Sequence, residues 1–318
     1  MKPSRDFLVW LAFAALILAL PLVLGKGYYL NTLNFVAIYA LPAIGLCLLV
    51  GYCGQLSISH SAFFAIGAYT SASLSVHTGI STWLALVLAQ ALALVVAWFI
   101  GWVVLRLRGH YLAVATLSFT IIVEVVIKEL PSVTGGLQGL SGIPQFSIAG
   151  KPIASDLAFY WLVWPITLLC LWFTLNLVRS RFGRVLRAIR EGETVTGLLG
   201  VDVSAYKIQA FVLSSLLASL GGSLYAHYVT FVSPAAGSVT FAIDIILVLA
   251  FGGFDRIWGA MLGVFALTYL NETAVAFADY KRLMYGLALV VIMSFFPAGL
   301  LPGLTNLVRT ATRRLRRC

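Results

Sequence analysis

The sequence predicts an all-α integral membrane protein with about ten transmembrane helices. Three observations predict it. Hydrophobic residues make up 61% of the chain and charged residues only 10%, whereas a soluble domain carries about 25% charged residues. Ten apolar segments follow one another along the 318 residues, and roughly 20 apolar residues cross a bilayer as a helix. The Lys and Arg residues fall mostly on one side of those segments when the spans alternate.

The segments lie at about 7–24, 30–50, 58–77, 81–104, 111–130, 158–178, 206–228, 241–254, 257–276 and 282–300. The first follows a basic start, "MKPSRDFLVW". It is long for a signal-peptide core and has no A-x-A-type cleavage site after it, so it reads as a retained span. The Gly and Pro content of 229–260 permits a broken or re-entrant helix there. Residues 1–305 form the membrane domain, and 306–318 form a basic tail.

With the N-terminus in the cytoplasm and ten alternating helices, sixteen Lys and Arg lie inside and five outside. Both termini are then cytoplasmic. The net charge of +10 is therefore mostly a topology signal. These charges sit at helix ends without a soluble domain, which argues against nucleic acid as a partner. The lipid bilayer is the partner the composition demands.

The residues also argue against catalysis. Cys47, Cys53, Cys170 and Cys318 form no CxxC pair and no Cys/His cluster, so they read as small apolar packers rather than metal ligands. The four histidines are dispersed, and no G-x-S-x-G nucleophile motif stands out. No G-x-x-x-x-G-K-[ST] stretch is present, so ATP would have to bind another chain.

Two loops are long. The outer loop, 131–157, is rich in Gly, Pro and Ser and is expected to turn or re-enter. The inner loop, 179–205, is different. Between Gly183 and Gly200 the apolar residues Val185, Ala188, Ile189, Val195 and Leu199 recur at helical spacing, among Arg184, Arg187, Arg190, Glu191 and Glu193. This pattern predicts one amphipathic helix along the membrane, or two pieces broken at Gly192. Anionic headgroups or a protein partner would suit such a helix. Mixed charge favours the protein.

The stretch "GYCGQLSISHSAFFAIGAY", 51–69, interrupts the apolar pattern. Gly51 and Gly54 permit a reversal, and Ser57 and Ser59 are placed to cap a new helix. Gln55 and His60 exceed what a turn requires. Gly54, Gln55, Ser57 and His60 are thus either a turn with its cap or a broken segment in a pathway or cytoplasmic gate. His60 is expected to hydrogen-bond a neighbouring helix. The small residues from Ser61 to Ala72 either let helices approach closely or leave room for a pore. Carboxylates inside a membrane are expensive. Glu124 lies within the fifth segment, Asp244 near the start of the eighth and Glu272 towards the outer end of the ninth; Asp244 reads either as an interfacial group or as one inside the membrane, and Glu124 is expected to make an interhelical hydrogen bond, a salt bridge or a substrate contact.

A resemblance then becomes visible. "SRFGRVLRAIREGETVTGLLGVDVSAYKIQAFVLSSLLASLGGSLYAHYVTFVSP" resembles the cytoplasmic loop and following helix of branched-chain amino acid ABC importer permeases of the LivM type. "GYCGQLSISHSAFFAIGAY", "LRLRGHYLAVATLSF", "VTGGLQGLSGIP" and "YGLALVVIMSFFPAGL" resemble further blocks of that family, in the same order. The resemblance implies the vitamin B12-type (type II) importer fold, with a coupling helix between the sixth and seventh spans. That role falls on Arg184, Arg187, Arg190, Glu191, Glu193 and Gly200. It implies a bacterial inner-membrane location, a homologous LivH-like permease partner, two ABC ATPases that bind ATP and Mg, and a periplasmic binding protein. The implied cargo is leucine, isoleucine, valine or a related hydrophobic amino acid. Similar permeases serve urea, short amides or aromatic acids. The segment "GGFDRIWGAMLG" departs from the family pattern at Asp255, Arg256 and Ala260, and Asp244 stands where Ser is usual. A more distant alternative is a stand-alone secondary transporter, which would need its own coupling-ion site.

Overall fold

The computed structural model describes residues 5–24, 27–107, 109–148 and 151–273. The predicted segment at 282–300 and the basic tail 306–318 lie outside these residues. Helix α1 (Arg5–Leu24) is followed by α2 (Tyr28–Leu46), which runs into a π-helical turn, Cys47–Tyr52. Next come α3 (His60–Thr78), α4 (Thr82–Val104), α5 (His110–Glu129) and the single turn α6 (Pro131–Thr134). Helix α7 (Asp156–Arg179) leads into the short α8 (Arg181–Glu191) and α9 (Glu193–Leu198). Helices α10 (Val203–Val229), α11 (Val239–Gly252) and α12 (Ile257–Thr273) follow.

Nine of the ten predicted segments coincide with helices. Five of the described helices are long and apolar enough to cross a membrane alone, or six if α11 and α12 form one span bent by 114°. The predicted break in 229–260 thus takes the form of a bend between Gly252 and Ile257. Among the described residues the expected count of ten crossings is not confirmed. Helix α3 has the length but is not one of the five. Its many Ser, Gly and Ala residues suit a helix enclosed by α4, α10 and α11 better than one facing lipid.

Side-chain size sorts the faces of these helices. On α4, Ala85, Ala89, Ala93, Ala97 and Gly101 are buried at four-residue spacing, while Trp98, Phe99 and Trp102 point outward. Lipid is as apolar as leucine, so small residues gather where helices must approach closely. The α3–α10 seam shows the same rule. A Cβ on Gly67 would lie 2.0 Å from the Ser219 carbonyl oxygen, and one on Gly222 would lie 1.8 Å from that of Phe64. The hydroxyl of Ser223 donates to the Gly67 carbonyl at 3.0 Å. The small-sided α3 is therefore a packing surface within this chain, not the wall of a pore.

The outer loop turns, as its composition predicts. Strand β1 (Leu140–Ser141) pairs antiparallel with β4 (Phe231–Val232), and β2 (Ser147–Ile148) pairs with β3 (Lys151–Pro152). His227 at the end of α10 anchors this loop. Its Nδ1 lies 2.7 Å from the Pro144 carbonyl, which can only accept, so Nδ1 carries the proton. In the neutral ring Nε2 then accepts from the Ser71 hydroxyl at 2.5 Å. His227→Ala is expected to leave the buried Ser71 hydroxyl without its partner, at about 1–3 kcal/mol, and to release the exposed Pro144 carbonyl to solvent. Amide exchange across 140–152 should quicken in hydrogen-exchange mass spectrometry. Unchanged exchange would mean that the strand pairs alone hold the loop.

Candidate coupling site and pathway cavity

The interrupted stretch begins where α2 loosens. Its π turn ends with the Gly54 amide donating to the Val50 carbonyl at 3.2 Å and the Gln55 amide to that of Leu49 at 3.1 Å. Residues 53–59 are non-helical, and Gln55, Ser57 and Ser59 are buried. Backbone groups in such a place need partners. Two threonines one turn apart on α5 supply them. The Ile58 amide donates to Thr116 Oγ1 at 3.1 Å, and Thr120 Oγ1 donates to the Ile58 carbonyl at 3.0 Å. Sequence reasoning missed Thr116 and Thr120, whose only signal is polar residues at i, i+4 in an apolar helix.

Two expectations for this stretch are corrected. Ser59 occupies the N-cap position of α3, but its hydroxyl makes no cap bond; it pairs with the Ser57 hydroxyl at 2.9 Å. His60 is buried at 2% exposure, and neither ring nitrogen has a hydrogen-bond partner among the described residues. The parallel packing of α3 on α10 presents backbone and small side chains here, leaving little polar reach.

The inner loop forms two helices, broken at Gly192. Ser180 caps α8, its hydroxyl accepting from the Phe182 amide at 3.2 Å. Leu186 and Ile189 are buried beneath it. Arg187 closes the end of α7, donating from Nη2 to the Val178 carbonyl at 2.9 Å and from Nε to that of Gly183 at 3.2 Å. Arg184 and Glu191 are exposed, and Gly200 is exposed in the turn before α10. Val195 and Leu199 do not continue the buried stripe of α8. With Leu198 they are 65%, 77% and 83% exposed, because the break at Gly192 redirects the chain. The tip of α9 is therefore an apolar knob.

Glu193, half-buried, and Arg190, still exposed, reach the 51–55 stretch and join the two predicted clusters. Glu193 forms an ion pair with Lys207 of α10, whose side chain is 3% exposed. Gln55 Nε2 donates to the same Glu193 carboxylate at 3.0 Å. Arg190 donates to the Gly51 carbonyl and pairs with Asp255, in the α11–α12 bend, at 2.6 Å. Gly54 has φ +71°, and a Cβ there would lie 2.9 Å from Arg190 Cγ, so glycine meets both demands at once. Cys53 lies in this nest. Burial, more than the charges of Lys207 and Glu193, pushes its thiol up to about 12, so it stays protonated and unreactive.

Glu124 stands apart. Lys128, one turn along α5, pairs with it at 2.6 Å, so the ion pair is within one helix rather than between helices. A different carboxylate faces a cavity. Asp244 lines a space of about 380 Å³ between α2, α11 and α12, with Phe35, Tyr39, Phe241, Thr268 and Asn271 among its walls.

A bundle of membrane-crossing helices, a buried non-helical segment tied through Glu193 to the short helix α9, and a cavity beside a bent helix pair are the features of a membrane permease subunit. The chain belongs to the branched-chain amino acid transport system permease component family, whose pattern matches residues 28–293. It is 30% identical over 321 residues to the high-affinity branched-chain amino acid transport system permease protein LivM of Salmonella typhimurium, covering 94% of this chain and 75% of that protein. The LivM of Escherichia coli is 30% identical over 322 residues, with the same coverage. A probable branched-chain amino acid transport permease protein LivM of Methanocaldococcus jannaschii is 26% identical over 215 residues, covering 62% of this chain and 61% of that protein. No solved structure matches the chain.

Proposed function

We propose that this chain is the membrane-spanning subunit of an ATP-binding-cassette importer for leucine, isoleucine, valine or a related hydrophobic amino acid. The family match over 28–293 carries the reading. Urea, short amides and aromatic acids are less favoured, since the relatives above are named for branched-chain amino acids. A stand-alone secondary transporter is also less favoured, because Glu124 is already neutralised by Lys128.

In this reading a LivH-like permease pairs with the chain in the bacterial inner membrane, in the manner of vitamin B12-type importers. Both termini are cytoplasmic, which the distribution of Lys and Arg supports. A loaded periplasmic binding protein docks on the outer side, where the 131–157 loop lies. Two ATPase subunits bind ATP and Mg and receive α8–α9. An apolar knob such as Val195, Leu198 and Leu199 supplies the desolvated centre that binding energy concentrates in. Arg184 and Glu191 flank it as an exposed charged rim.

Movement of α8–α9 then has two routes into the membrane. Arg190 pulls on Gly51 and on Asp255 at the α11–α12 bend. Glu193 pulls on Gln55 and on Lys207 at the foot of α10. A π-helical turn at the end of α2 is a natural place to yield.

The test is Leu198→Glu combined with Leu199→Glu. Both side chains are exposed, so the melting temperature of the purified subunit should stay unchanged. Co-purification of the ATPase and uptake of labelled leucine should both be lost. Retained co-purification would place the dock elsewhere.

A further inference from the structure

We infer that the groove between α1, α7 and α12 is a binding site for an anionic phospholipid, with Arg256 holding the headgroup phosphate. The inference rests on the inner-side placement of α8–α9 proposed above. It adds one defined lipid site to the general apolar surface that faces the bilayer.

The groove has a volume of about 680 Å³, within the usual range of roughly 300–1,000 Å³ for a small-molecule site. Its long walls are apolar: Phe13 of α1, Leu175 of α7, and Met261, Leu262 and Phe265 of α12. From Ile257 to Phe265 it follows about 12 Å of helix. One leaflet supplies roughly 15 Å, half of the hydrocarbon core. A helix of a partner subunit would cross both leaflets, so a groove this short suits an acyl chain of one.

At one end the walls change character. Tyr52, Arg256 and Trp258 stand there, at the end of the π-helical turn and the start of α12. Trp258 meets Phe13 edge to face at 5.3 Å, and Trp is a residue of the membrane–water interface. Arg256 is exposed, and its guanidinium has no hydrogen-bond or ion-pair partner among the described residues. A guanidinium recognises phosphate through paired N–H donors, and basic pockets between helices at the cytoplasmic face receive anionic headgroups. Arg179, on the opposite rim, already has a contact of its own, so Arg256 is the anchor.

Among the described residues no carboxylate lines the groove, so a zwitterionic headgroup finds no counter-charge there for its ammonium. Asp255, next to Arg256, is paired with Arg190 at 2.6 Å. The same bend is tied to the π-helical turn, since Cys47 Sγ donates to the Phe254 carbonyl at 3.4 Å. A headgroup on Arg256 therefore sits at the joint through which α8–α9 reaches α12.

The experiment uses the complete complex, stripped of lipid in detergent and titrated with phosphatidylglycerol or phosphatidylcholine of the same acyl chains. Native mass spectrometry follows the first lipid retained. Phosphatidylglycerol should bind about tenfold more tightly than phosphatidylcholine, the worth of one charge-assisted contact. Arg256→Gln should remove that preference. Leu262→Trp, at a position 44% exposed, should fill the groove and weaken retention of both lipids, and it carries the test if the Arg256 variant does not assemble. Equal retention of the two lipids by wild type, a preference that survives Arg256→Gln, retention unchanged by Leu262→Trp, or displacement of the phospholipid by inorganic phosphate alone would each overturn the site. The inner-side placement is read separately. In sealed, right-side-out vesicles a membrane-impermeant thiol reagent should label Leu198→Cys no more than wild type; added labelling would instead overturn the placement of α8–α9.

Discussion

Glu193→Ala is expected to destabilise the protein by about 3–5 kcal/mol, the cost of leaving one partner of a buried ion pair alone. The Lys207 side chain is 3% exposed and meets the Glu193 carboxylate directly. Truncation at 193 leaves that ammonium buried without its counter-charge and removes the acceptor for Gln55. The melting temperature in detergent, followed by tryptophan fluorescence, should fall by several degrees. Adding Lys207→Met should restore most of the loss, because removing both charges of a buried pair is often near neutral. Uptake should stay low in the double variant, since Gln55 has still lost its link to α9. If the single and double variants melt alike, the pair does not hold α9 to α10. If the double variant transports normally, the link through Gln55 carries no movement.

The second large effect concerns the α3–α10 seam. Gly222→Ala places a methyl group 1.8 Å from the Phe64 carbonyl oxygen, a backbone atom within a packed helix. Overpacking costs about 1–3 kcal/mol where side chains can give way, and more where they cannot. The folded yield of this variant should be a small fraction of wild type, judged by the monodisperse peak in size-exclusion chromatography. Gly197→Ala is the matched control: its nearest neighbour would be 4.0 Å away, and alanine favours the helix. Normal yield from Gly222→Ala would mean that the two helices separate at little cost.

Much of the architecture was legible in the sequence because lipid leaves few choices. A backbone without water must bond to itself, so apolar runs become helices, and their positions can be read directly from hydropathy. The break at Gly192 and the irregular turn after α2 were legible for the same kind of reason: Gly and polar residues interrupt an otherwise continuous pattern. Contacts were not legible. The small residues of α3 fit either close packing or a pore, and only the presence of Ser219 opposite Gly67 and of Gly222 opposite Phe64 decides for packing. Asp255 read merely as a departure from a family pattern, yet it is where Arg190 lands. Thr116 and Thr120 looked like ordinary residues of an apolar helix, yet they hold both backbone groups of Ile58.

The sequence by itself determined the class of protein, the run of helices over the described residues and the inner segment 184–200 as a place apart. Each depends on residues near one another in the chain, where composition and period are enough. The tertiary structure decided that Glu193 faces Lys207 and Gln55, that Glu124 is held by Lys128 within its own helix, and that Asp244 opens onto a cavity. Partners such as Gln55 and Glu193 are 138 residues apart. No local periodicity specifies which helix face meets which, because in lipid that choice is made by shape and hydrogen bonding between helices rather than by hydrophobicity.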